Sequence, residues 1–401
     1  MSEAVNEQIK ELANKYQFNP ALVNRLSFIY GFARASSIIK SLTEHTSALS
    51  IRVNTLQTTP EKLITALNEK DIPAKQHPEI EEAILIDVQG PKEIVEKPKK
   101  IVVHKYAAAK AMIGGSIGAP GIKEYEDINI GDEVTLVDKF QSVAANAVVM
   151  MSPTEIENQK RGVALRITAS KYILPNFQNV KEYLRGHFIQ QMIPSILIGS
   201  QIDLKPQARV LDLSVGEGKV LTHIWQRNSK ANAKIIGIDD SSTRLQKMDD
   251  NLKRLRMLNA PFQIMKMKLD RFEKKFNREE TFDTIVLHAP NSRIGIRPKI
   301  SDNTTEGFIF NNARNQSKRI AIAAKLLKRD GTLFYSTNSL DPAENERIIE
   351  EVIDKFKLSV VEQAQYLGEK GMETFTGGQH LQYFFPDKQD TQGFFIAKLT
   401  K

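Results

Sequence analysis

Acidic residues stand at the ends of successive strand-like runs in the C-terminal half of this 401-residue chain. Asp212 precedes a turn that contains Gly216 and Gly218, and Asp239 and Asp270 close the next two runs. In an open parallel sheet, ligands bind beyond the carboxyl ends of the strands. Asp239 suits a ribose diol and Asp270 an adenine amino group, so the pattern predicts an adenosyl pocket. S-adenosylmethionine fits this pocket better than ATP, because the turn lacks the GxxxxGKS or GxxxxGKT sequence that cradles phosphates.

The loop HAPNSRIGIRP, which begins at His288, has the layout of an active-site loop. It contains Asn291, and another polar residue, Asn338, follows a later strand-like run. The chain contains no cysteine, which excludes disulfides, thiolate metal sites and any cysteine nucleophile. An asparagine amide cannot replace a thiolate, because its nitrogen lone pair is delocalised into the carbonyl. No metal site is predicted.

The elements that position these residues alternate regularly after Pro206. Strand-like runs are separated by helical segments such as STRLQKMDDNLKRLRML and RIAIAAKLLK. The runs are RVLDLS, KIIGID, FQIMKMKL, TIVLHA and GTLFYSTN. Continuous apolar strands that alternate with helices indicate an α/β fold with a parallel sheet covered on both faces. Two later runs, KLSVVEQAQYL and QGFFIAKL, are predicted to add edge strands.

The first half of the chain predicts two smaller regions. Helical spacing up to about residue 45 includes a second segment from Pro20. It gives way to the strand SIRVNTL and to a helix that Thr59 caps ahead of Pro60. Pro98, among the charges of VEKPKK, marks a boundary. Beyond it, short apolar strands with glycine turns indicate a mostly-β module of about 70 residues that ends near Tyr172.

Basic residues outnumber acidic ones, with 56 Lys and Arg against 48 Asp and Glu, a net charge of +8 and a pI near 9.3. This balance favours a polyanionic partner such as nucleic acid, although a mild excess spread over a large surface would carry no such meaning. The polar start MSEAVNEQIK does not resemble a signal peptide. No run approaches the roughly 20 apolar residues of a membrane span. We therefore expect a cytoplasmic protein with no membrane partner.

Motifs in consistent order along nearly the whole chain resemble the RNA cytosine-5 methyltransferases of the Nol/Nop/Sun type, especially the archaeal, tRNA-directed subgroup with an inserted PUA domain. RVNTL, from Arg52, resembles the N-terminal family motif, and YLRGHFIQQMIPS resembles the segment before the methyltransferase core. PKKIVVHKYAAAKAMIGGSIGAPGI and INIGDEVTL resemble the PUA insert. The core motifs correspond to VLDLSVGEGK, GIDDSSTRL, HAPNSRIGIRP, YSTNSLDPAENE and DTQGFFIAKL.

The resemblance implies a domain order as well as a ligand. It places an N-terminal helical and α+β region at residues 1–95 and a mostly-β, PUA-like RNA-binding domain at 96–172. A linker at 173–205 returns to the N-terminal subdomain, and a Rossmann-like class I methyltransferase core occupies 206–401. The implied cofactor is S-adenosylmethionine, and the implied partner is RNA, with tRNA as the first substrate to test.

The chain departs from the family where the chemistry should be. The cysteines of the family's Asp-Ala-Pro-Cys and Ser-Thr-Cys-Ser loops are replaced by Asn291 and Asn338. The aspartate of the first loop, which in the family contacts the target cytosine, is His288. In the Cys-Ala-Ala-Pro-Gly-Gly-Lys turn, Glu217 replaces the proline and Val220 the lysine. Carbon 5 of cytosine is a poor nucleophile until a thiolate adds at carbon 6, so no catalytic residue for this transfer is expected.

The sequence leaves three functions open. The leading hypothesis is a pseudoenzyme, an RNA-binding member of the family that does not methylate carbon 5 of cytosine. The second is an active methyltransferase with altered chemistry, for example on an exocyclic nitrogen. In it, His288 acts as a base near its ordinary pKa of about 6.5 and Asn291 orients an amine. The third is a scaffold for another RNA-modifying protein, and steep salt dependence of tRNA binding would favour the first over the third.

The predicted contacts divide by ligand. The cofactor-binding residues are Gly216, Gly218, Asp239, Arg244 and Asp270. The RNA-binding residues are Arg52, Arg297, Lys99 and Lys100. Glu217, near the carboxylate of the donor, would weaken cofactor affinity by about 1–2 kcal/mol through like-charge repulsion, so weak or absent binding is expected. Other basic groups, such as Arg314 to Arg319, could be ordinary solvated faces.

Overall fold

The computed structural model describes residues 3–159, 161–276 and 280–401. The chain forms two compact units, each built from separate segments. The first unit comprises Met1–Ala48, Asp87–Pro175 and Ile296–Glu306, and the second comprises Leu49–Ile86, Asn176–Gly295 and Gly307–Lys401. The first helices thus belong to the same unit as the β module that follows Pro98 in the sequence.

Helices and strands are numbered separately in chain order. The helices are α1 (Glu3–Tyr16), α2 (Pro20–Tyr30), α3 (Phe32–Thr43), α4 (Pro60–Asn68), α5 (Lys105–Met112), α6 (Pro153–Asn158), α7 (Lys181–Leu184), α8 (Ile193–Ser200), α9 (Lys219–Asn228), α10 (Ser242–Arg254), α11 (Leu269–Lys275), α12 (Glu306–Leu326) and α13 (Glu346–Phe356). The strands are β1 (Ala48–Val53), β2 (Ala74–Gln76), β3 (Ala83–Asp87), β4 (Lys99–Val103), β5 (Ile122–Tyr125), β6 (Glu133–Val137), β7 (Val143–Val149), β8 (Leu165–Ser170), β9 (Phe188–Gln190), β10 (Arg209–Asp212), β11 (Lys234–Asp239), β12 (Phe262–Lys266), β13 (Phe282–His288), β14 (Leu327–Thr337), β15 (Ser359–Val360), β16 (Glu369–Lys370), β17 (Gln382–Phe384) and β18 (Phe394–Thr400).

The first unit contains the β-rich module. Its sheet has the order β5-β4-β6-β7-β8, in which β4 and β6 run parallel and the other neighbours antiparallel. Ile101, Leu136 and Ala147 are fully buried in the core of this module, and Ile300 from the third segment packs into the same core. The mostly-β character predicted for this region is confirmed.

The starts of two helices follow from local side-chain chemistry. The Oδ1 atom of Asn19 accepts a hydrogen bond from the N–H of Ala21, at 2.9 Å, where α2 begins. The Oγ1 atom of Thr59 accepts one from the N–H of Lys62, at 3.4 Å, where α4 begins. In both helices a proline follows the cap, at a position whose N–H would have no partner in the helix. The predicted start of α4 is confirmed.

The second unit holds two sheets, of which the smaller has the order β2-β3-β1-β9. β1 pairs antiparallel with β9, so that Arg52 lies opposite Ile189. Leu63 and Leu67 of α4 pack against the buried face of this sheet with Val53 and Phe188. The segment around β9 therefore returns to the N-terminal sheet before the chain enters the larger one.

The larger sheet has the order β12-β11-β10-β13-β14-β18-β17-β16. The neighbours from β12 to β14 are parallel. β10, β11, β13 and β14 are buried along most of their length, whereas β12, at the end of the sheet, is only partly buried. A parallel sheet between two helical layers needs apolar side chains on both faces, which explains the unbroken apolar runs. The predicted α/β fold with a Rossmann-like core is confirmed.

Two C-terminal runs differ from the prediction of edge strands. QGFFIAKL forms β18, which lies inside the sheet between β14 and β17. Only Ser359–Val360 of KLSVVEQAQYL forms a strand, and it pairs with β18. β18 is interior because Phe394, Phe395 and Ile396 are all buried, which an edge strand would not need. Among the helices of the described residues, none has the length and apolar character required to cross a bilayer.

Candidate functional site

The carboxyl ends of the parallel strands open into two adjoining clefts of the second unit. The first, of about 340 Å³, is lined by Asp212, Gly216, Lys219 and His288 among others. The second, of about 560 Å³, is lined by Asp239, Asp270, Pro290, Lys318 and Arg319 among others. Ser214 and Arg244 line both. The fold thus gathers the three predicted acids and the loop from His288 at one edge of the sheet, although Asp270 lies in α11 and not, as the sequence predicts, at the end of β12.

The two glycines of the turn after β10, Gly216 and Gly218, lack a side chain for different reasons. Gly218 adopts φ +79° at the start of α9, and a Cβ there would lie 2.9 Å from Cγ of Met248. Gly216 adopts φ +55°, and a Cβ there would find no atom closer than the carbonyl oxygen of Ser214, at 3.8 Å. Gly218 therefore serves the packing of α10 against the turn. Gly216 leaves open space on the cleft side, where a ligand could approach the backbone.

Asp239, at the end of β11, is held by backbone and side-chain donors. Its carboxylate accepts the N–H of Gly216 at 3.1 Å and of Ser241 at 2.8 Å. The guanidinium of Arg244 donates from Nε at 3.0 Å and from Nη2 at 2.7 Å. Burial alone would raise the pKa of Asp239, but the hydrogen bond from Arg244 and those from the backbone hold the pKa below its ordinary value. Asp239 is therefore ionised.

Asp212 is the other buried acid of this edge. Burial raises its pKa to about 7, against a hydrogen bond from the N–H of Ser214, and the nearby charge of Asp239 raises it further. Only 4% of the residue is exposed, and it lines the first cleft. At neutral pH Asp212 is therefore poised between its protonated and ionised forms, unlike Asp239.

Glu217 and Asp270 complete the cofactor side. Glu217 forms ion pairs with Lys247 at 2.9 Å and with Lys219 at 3.3 Å. Burial would raise the pKa of Glu217, but the charges of both lysines keep it below its ordinary value. These lysines offset the repulsion expected between Glu217 and a donor carboxylate. Asp270 lies exposed in the first turn of α11, at the wall of the second cleft.

His288 closes β13 and is bonded at both ring nitrogens. Nδ1 lies 3.0 Å from Oγ of Ser336, and Nε2 lies 3.1 Å from Oδ1 of Asn338. Because Oδ1 can only accept, Nε2 carries the proton and Nδ1 accepts from the hydroxyl. The ring stacks on Phe394 with 5.4 Å between centroids. Burial lowers the pKa of His288 to about 4, so the condition of the altered-chemistry hypothesis, a pKa near 6.5, is not met and the ring is a weak base.

The two asparagines at the family's cysteine positions are also engaged within the protein. Nδ2 of Asn338 donates to the carbonyl of Gly393 at 3.3 Å, and its Oδ1 faces His288. Nδ2 of Asn291 donates to the carbonyl of Ala289 at 2.8 Å, and its Oδ1 accepts the N–H of Arg293 at 2.9 Å. Asn291 therefore closes its own turn, and Asn338 ties two loops together.

Glu344 is a site residue that the sequence analysis missed. Its buried carboxylate accepts the N–H of Ser292 at 2.8 Å, the hydroxyl of Ser339 at 2.5 Å and Nε2 of Gln316 at 3.2 Å. Burial raises the pKa of Glu344, and the hydrogen bonds from Ser292 and Ser339 act in the opposite direction. It holds the loop after Pro290 against the loop after β14. The acidic segment PAENE was the available signal.

Two residues predicted to bind RNA have internal roles instead. Arg52 is fully buried, and its guanidinium donates to Oε1 of Gln191 at 2.7 Å, to the carbonyl of Lys219 at 2.5 Å and to Thr222 at 3.0 Å. Burial lowers the pKa of Arg52 to about 9. In the first unit, Arg297 is 5% exposed and donates to the carbonyl oxygens of Glu44 and His45. Neither guanidinium is presented to a phosphate in this structure.

Lys99 and Lys100, the other predicted RNA contacts, are neighbours in β4 and project to opposite faces of the sheet. Lys99 pairs with Asp132 at 2.7 Å, and Lys100 pairs with Glu96 at 2.7 Å. Both are at the surface, where such pairs are weak. Their contact with RNA stays a prediction.

The residues of the two clefts fit S-adenosylmethionine. Gly216 leaves its cleft side open, and the ionised Asp239 can accept a ribose hydroxyl once the guanidinium of Arg244 releases one carboxylate oxygen. That release is feasible because 52% of the Arg244 side chain is exposed. Asp270 lies beside Asp239 in the same cleft. Bound there, the cofactor would supply an activated methyl group.

Comparison with known proteins identifies the class. The family profile described as "16S rRNA methyltransferase RsmB/F" matches residues 200–400. A ferredoxin-like domain profile of RsmF/B-like methyltransferases matches residues 20–92, and a PUA domain profile matches residues 99–170. The chain belongs to this Sun-type family of S-adenosylmethionine-dependent RNA cytosine-5 methyltransferases.

Individual relatives cover almost the whole chain. A tRNA (cytosine(72)-C(5))-methyltransferase of Pyrococcus horikoshii is 34% identical over 378 residues, which is 93% of this chain and 94% of the relative. The human tRNA (cytosine(72)-C(5))-methyltransferase NSUN6 is 26% identical, over 96% of this chain and 94% of its own. The crystal structure of NSun6 from Pyrococcus horikoshii with SFG, an analogue of S-adenosylmethionine, has a TM-score of 0.83 and 32% identity. It covers 96% of this chain and 99% of its own.

Proposed function

We propose that this protein is an RNA-binding member of the family, directed to tRNA, that binds S-adenosylmethionine and is degenerate for cytosine-5 methylation. The match to a PUA domain and the activity of the relatives on tRNA support the RNA partner. The net charge of +8 is in keeping with a polyanionic ligand. The cofactor residues of the proposal are Gly216, Gly218, Asp239 and Asp270, with Arg244 as a movable neighbour.

The proposal that the protein does not methylate carbon 5 of cytosine rests on the side chains that follow β13 and β14. The chain has no cysteine, and the side chains at the family's reacting positions, His288, Asn291 and Asn338, bond to neighbours within the protein. None of them can add to carbon 6 of cytosine, so the ring cannot be activated for attack on a methyl group. Losing a covalent nucleophile lowers rates by several powers of ten.

The test is incubation of the purified protein with tRNA transcripts and S-adenosylmethionine labelled in the methyl group, followed by mass spectrometry of the nucleosides. We expect no 5-methylcytosine above the level of a reaction without protein. Calorimetric titration with S-adenosylmethionine and a tRNA binding assay are run on the same preparation, so that inactivity is not confused with misfolding. Catalytic formation of 5-methylcytosine would overturn the proposal.

The same mass spectra examine the altered-chemistry alternative. That alternative requires a methylated nucleoside other than 5-methylcytosine, for instance one methylated on an exocyclic nitrogen. With its pKa lowered to about 4, His288 is more than a hundredfold less basic than a free imidazole, which disfavours it as the base. The scaffold alternative would give tRNA binding that is weak and insensitive to salt, whereas the proposal expects a steep dependence.

A further inference from the structure

The exposed side of α12 combines an aromatic ring with cations. Its buried side contains Ile309, Ile320 and Ala323, which pack into the second unit. Phe310 is 40% exposed and lies on the same face as Arg314 and Lys318, which follow it at intervals of four residues. A helix that packs by one apolar stripe needs no aromatic residue on this face. The ring of Phe310 therefore calls for an explanation other than the core.

Cations continue along this helix towards the cofactor. Phe310 and Arg314 line a groove of about 330 Å³ with Arg347 of α13, and Lys318, one turn further, lines the second cleft beside Asp239. Arg314 and Lys318 are four residues apart, so they lie on one face about 6 Å apart along the axis. From Phe310 to Lys318 the helix spans about 12 Å. The groove and the cofactor cleft are thus joined by one strip of surface.

The cations of this strip are not neutralised by acids. Arg314, Lys318 and Arg347 are exposed. In the part of the chain that the structure describes, no carboxylate forms an ion pair with any of the three. Glu351 is the acidic residue that lines the groove, and the three cations outnumber it. By contrast, Lys247 and Lys253 on α10 each pair with an acid. The strip therefore differs from an ordinary solvated face, on which opposite charges are mixed.

We propose that this strip, defined by Phe310, Arg314, Lys318 and Arg347 and called the α12 strip below, binds a single-stranded segment of RNA. Bases stack on aromatic rings in such sites, and cations follow the backbone phosphates. The i,i+4 spacing of Arg314 and Lys318 suits neighbouring phosphates of one strand. A bound strand would lead from the groove to the cleft that Asp239 and His288 border. The inference rests on the proposed RNA-binding function and specifies where a flexible part of that RNA lies.

The test measures binding of a fluorescent tRNA transcript and of an unstructured RNA oligonucleotide over a range of salt concentrations. The triple variant Arg314→Gln, Lys318→Gln and Arg347→Gln removes three phosphate contacts. For single strands each contact contributes about 0.7 to the slope of log Kobs against log salt, so the slope for the oligonucleotide falls by about 2. Phe310→Ala weakens affinity by about tenfold and leaves the slope unchanged.

A matched control removes equal charge elsewhere in the same unit. Lys62, Lys205 and Lys230 are exposed, and the last two precede β10 and β11, at the opposite ends of the strands from the clefts. Their change to Gln should leave affinity and slope close to those of the wild type. Restoring charge in the α12 strip with Arg314→Lys and Arg347→Lys should restore most of the slope, because lysine binds phosphate as a point charge.

The outcomes separate this inference from the proposed function. If the wild type does not bind tRNA, the proposed function fails. If the wild type binds tRNA steeply with salt but the α12 strip triple variant and the control variant behave alike, the inference is wrong and the proposed function stands. Loss of a co-purifying protein from the triple variant, with RNA affinity unchanged, would also overturn it, since a protein would then be the occupant.

Discussion

At the carboxyl ends of the parallel strands, polar side chains are bonded differently in two neighbouring regions, called the cofactor edge and the reaction edge. On the cofactor edge, after β10 and β11, Asp239 is ionised and its side-chain partner is the half-exposed Arg244, which can move. On the reaction edge, after β13 and β14, His288 and Asn338 bond to each other and to fixed neighbours. The polar group of the cofactor edge thus has a side-chain partner that can be released. Those of the reaction edge are bonded to neighbours within the protein.

The pKa values of Asp212 and His288 also differ between the two edges. Burial acts on both edges, but it raises the pKa of Asp212 to about 7 and lowers that of His288 to about 4. Both shifts favour the neutral form, as expected when a charge leaves water. Asp212 nevertheless keeps an ionised form near neutral pH, whereas His288 is neutral throughout the physiological range. Of these two residues, Asp212 on the cofactor edge is therefore the one whose charge can change near neutral pH.

The largest expected effect comes from returning the family's reagents to the reaction edge. We expect the triple variant His288→Asp, Asn291→Cys and Asn338→Cys to form 5-methylcytosine in tRNA, several powers of ten above the wild type, because a thiolate can then add at carbon 6. Mass spectrometry of nucleosides is the readout. The matched control places Ser at both asparagine positions with Asp at 288, and should stay inactive. A triple variant that binds cofactor and tRNA but forms no product would show that more than these side chains has been lost.

The next effect is on stability against pH. Asp212 has a folded pKa of about 7 against an ordinary value of 3.8. The folded state therefore holds a proton between these values that the unfolded state has released, and stability falls as pH rises through this window. Compared with the wild type, Asp212→Asn should gain about 2–4 kcal/mol in free energy of unfolding on going from pH 4 to pH 8. Chemical denaturation at both pH values measures the gain.

His288 should give the opposite sign. Its folded pKa of about 4 lies below the ordinary 6.5, so the unfolded state takes up a proton first as pH falls, and stability decreases from pH 6.5 to pH 4. His288→Gln should remove about 2–3 kcal/mol of that decrease. The buried His223, with a pKa also lowered to about 4, keeps its contribution in both proteins and cancels in the difference. Equal pH profiles for the wild type and the variant would contradict the lowered pKa of His288.

A smaller effect distinguishes the edges by cofactor affinity. Asp239→Asn keeps the size of the side chain but removes the charge that accepts a ribose hydroxyl, and a hydrogen bond to a charged group contributes about 1.5–3 kcal/mol. We expect affinity for S-adenosylmethionine to fall by roughly 10- to 100-fold. Asn291→Ala, on the reaction edge, should change it by less than about twofold. Calorimetry on both variants provides the measurement, and similar losses in the two would abolish the distinction between the edges.

Local patterns predicted the positions of Asp212 and Asp239 at strand ends, but not the burial of Arg52 and Arg297. Short apolar runs in the sequence predict where strands end, because their periodicity depends only on neighbouring residues. Asp212, Asp239 and the glycine turn lie at such ends. Arg52 is different, because its partners Gln191 and Lys219 lie 139 and 167 residues away. From the sequence alone, a basic residue in a motif of this family is expected to contact nucleic acid. Its burial becomes visible only in the folded structure. The pKa of His288 escaped prediction for the same reason, since its burial depends on the interior placement of β18.

The smallest predicted effect concerns the movable partner on the cofactor edge. Arg244 donates to both oxygens of Asp239, so a ribose hydroxyl must displace part of this contact. Asp239 would stay oriented without it, because the N–H groups of Gly216 and Ser241 also hold the carboxylate. Arg244→Met should therefore strengthen binding of S-adenosylmethionine by about three- to tenfold, in line with the modest worth of a half-exposed ion pair. Lys253→Met, which breaks an exposed ion pair with Asp249 on the same helix, is the control. Weaker binding by Arg244→Met alone would mean that the guanidinium contacts the cofactor directly, as the sequence suggested, rather than competing with it.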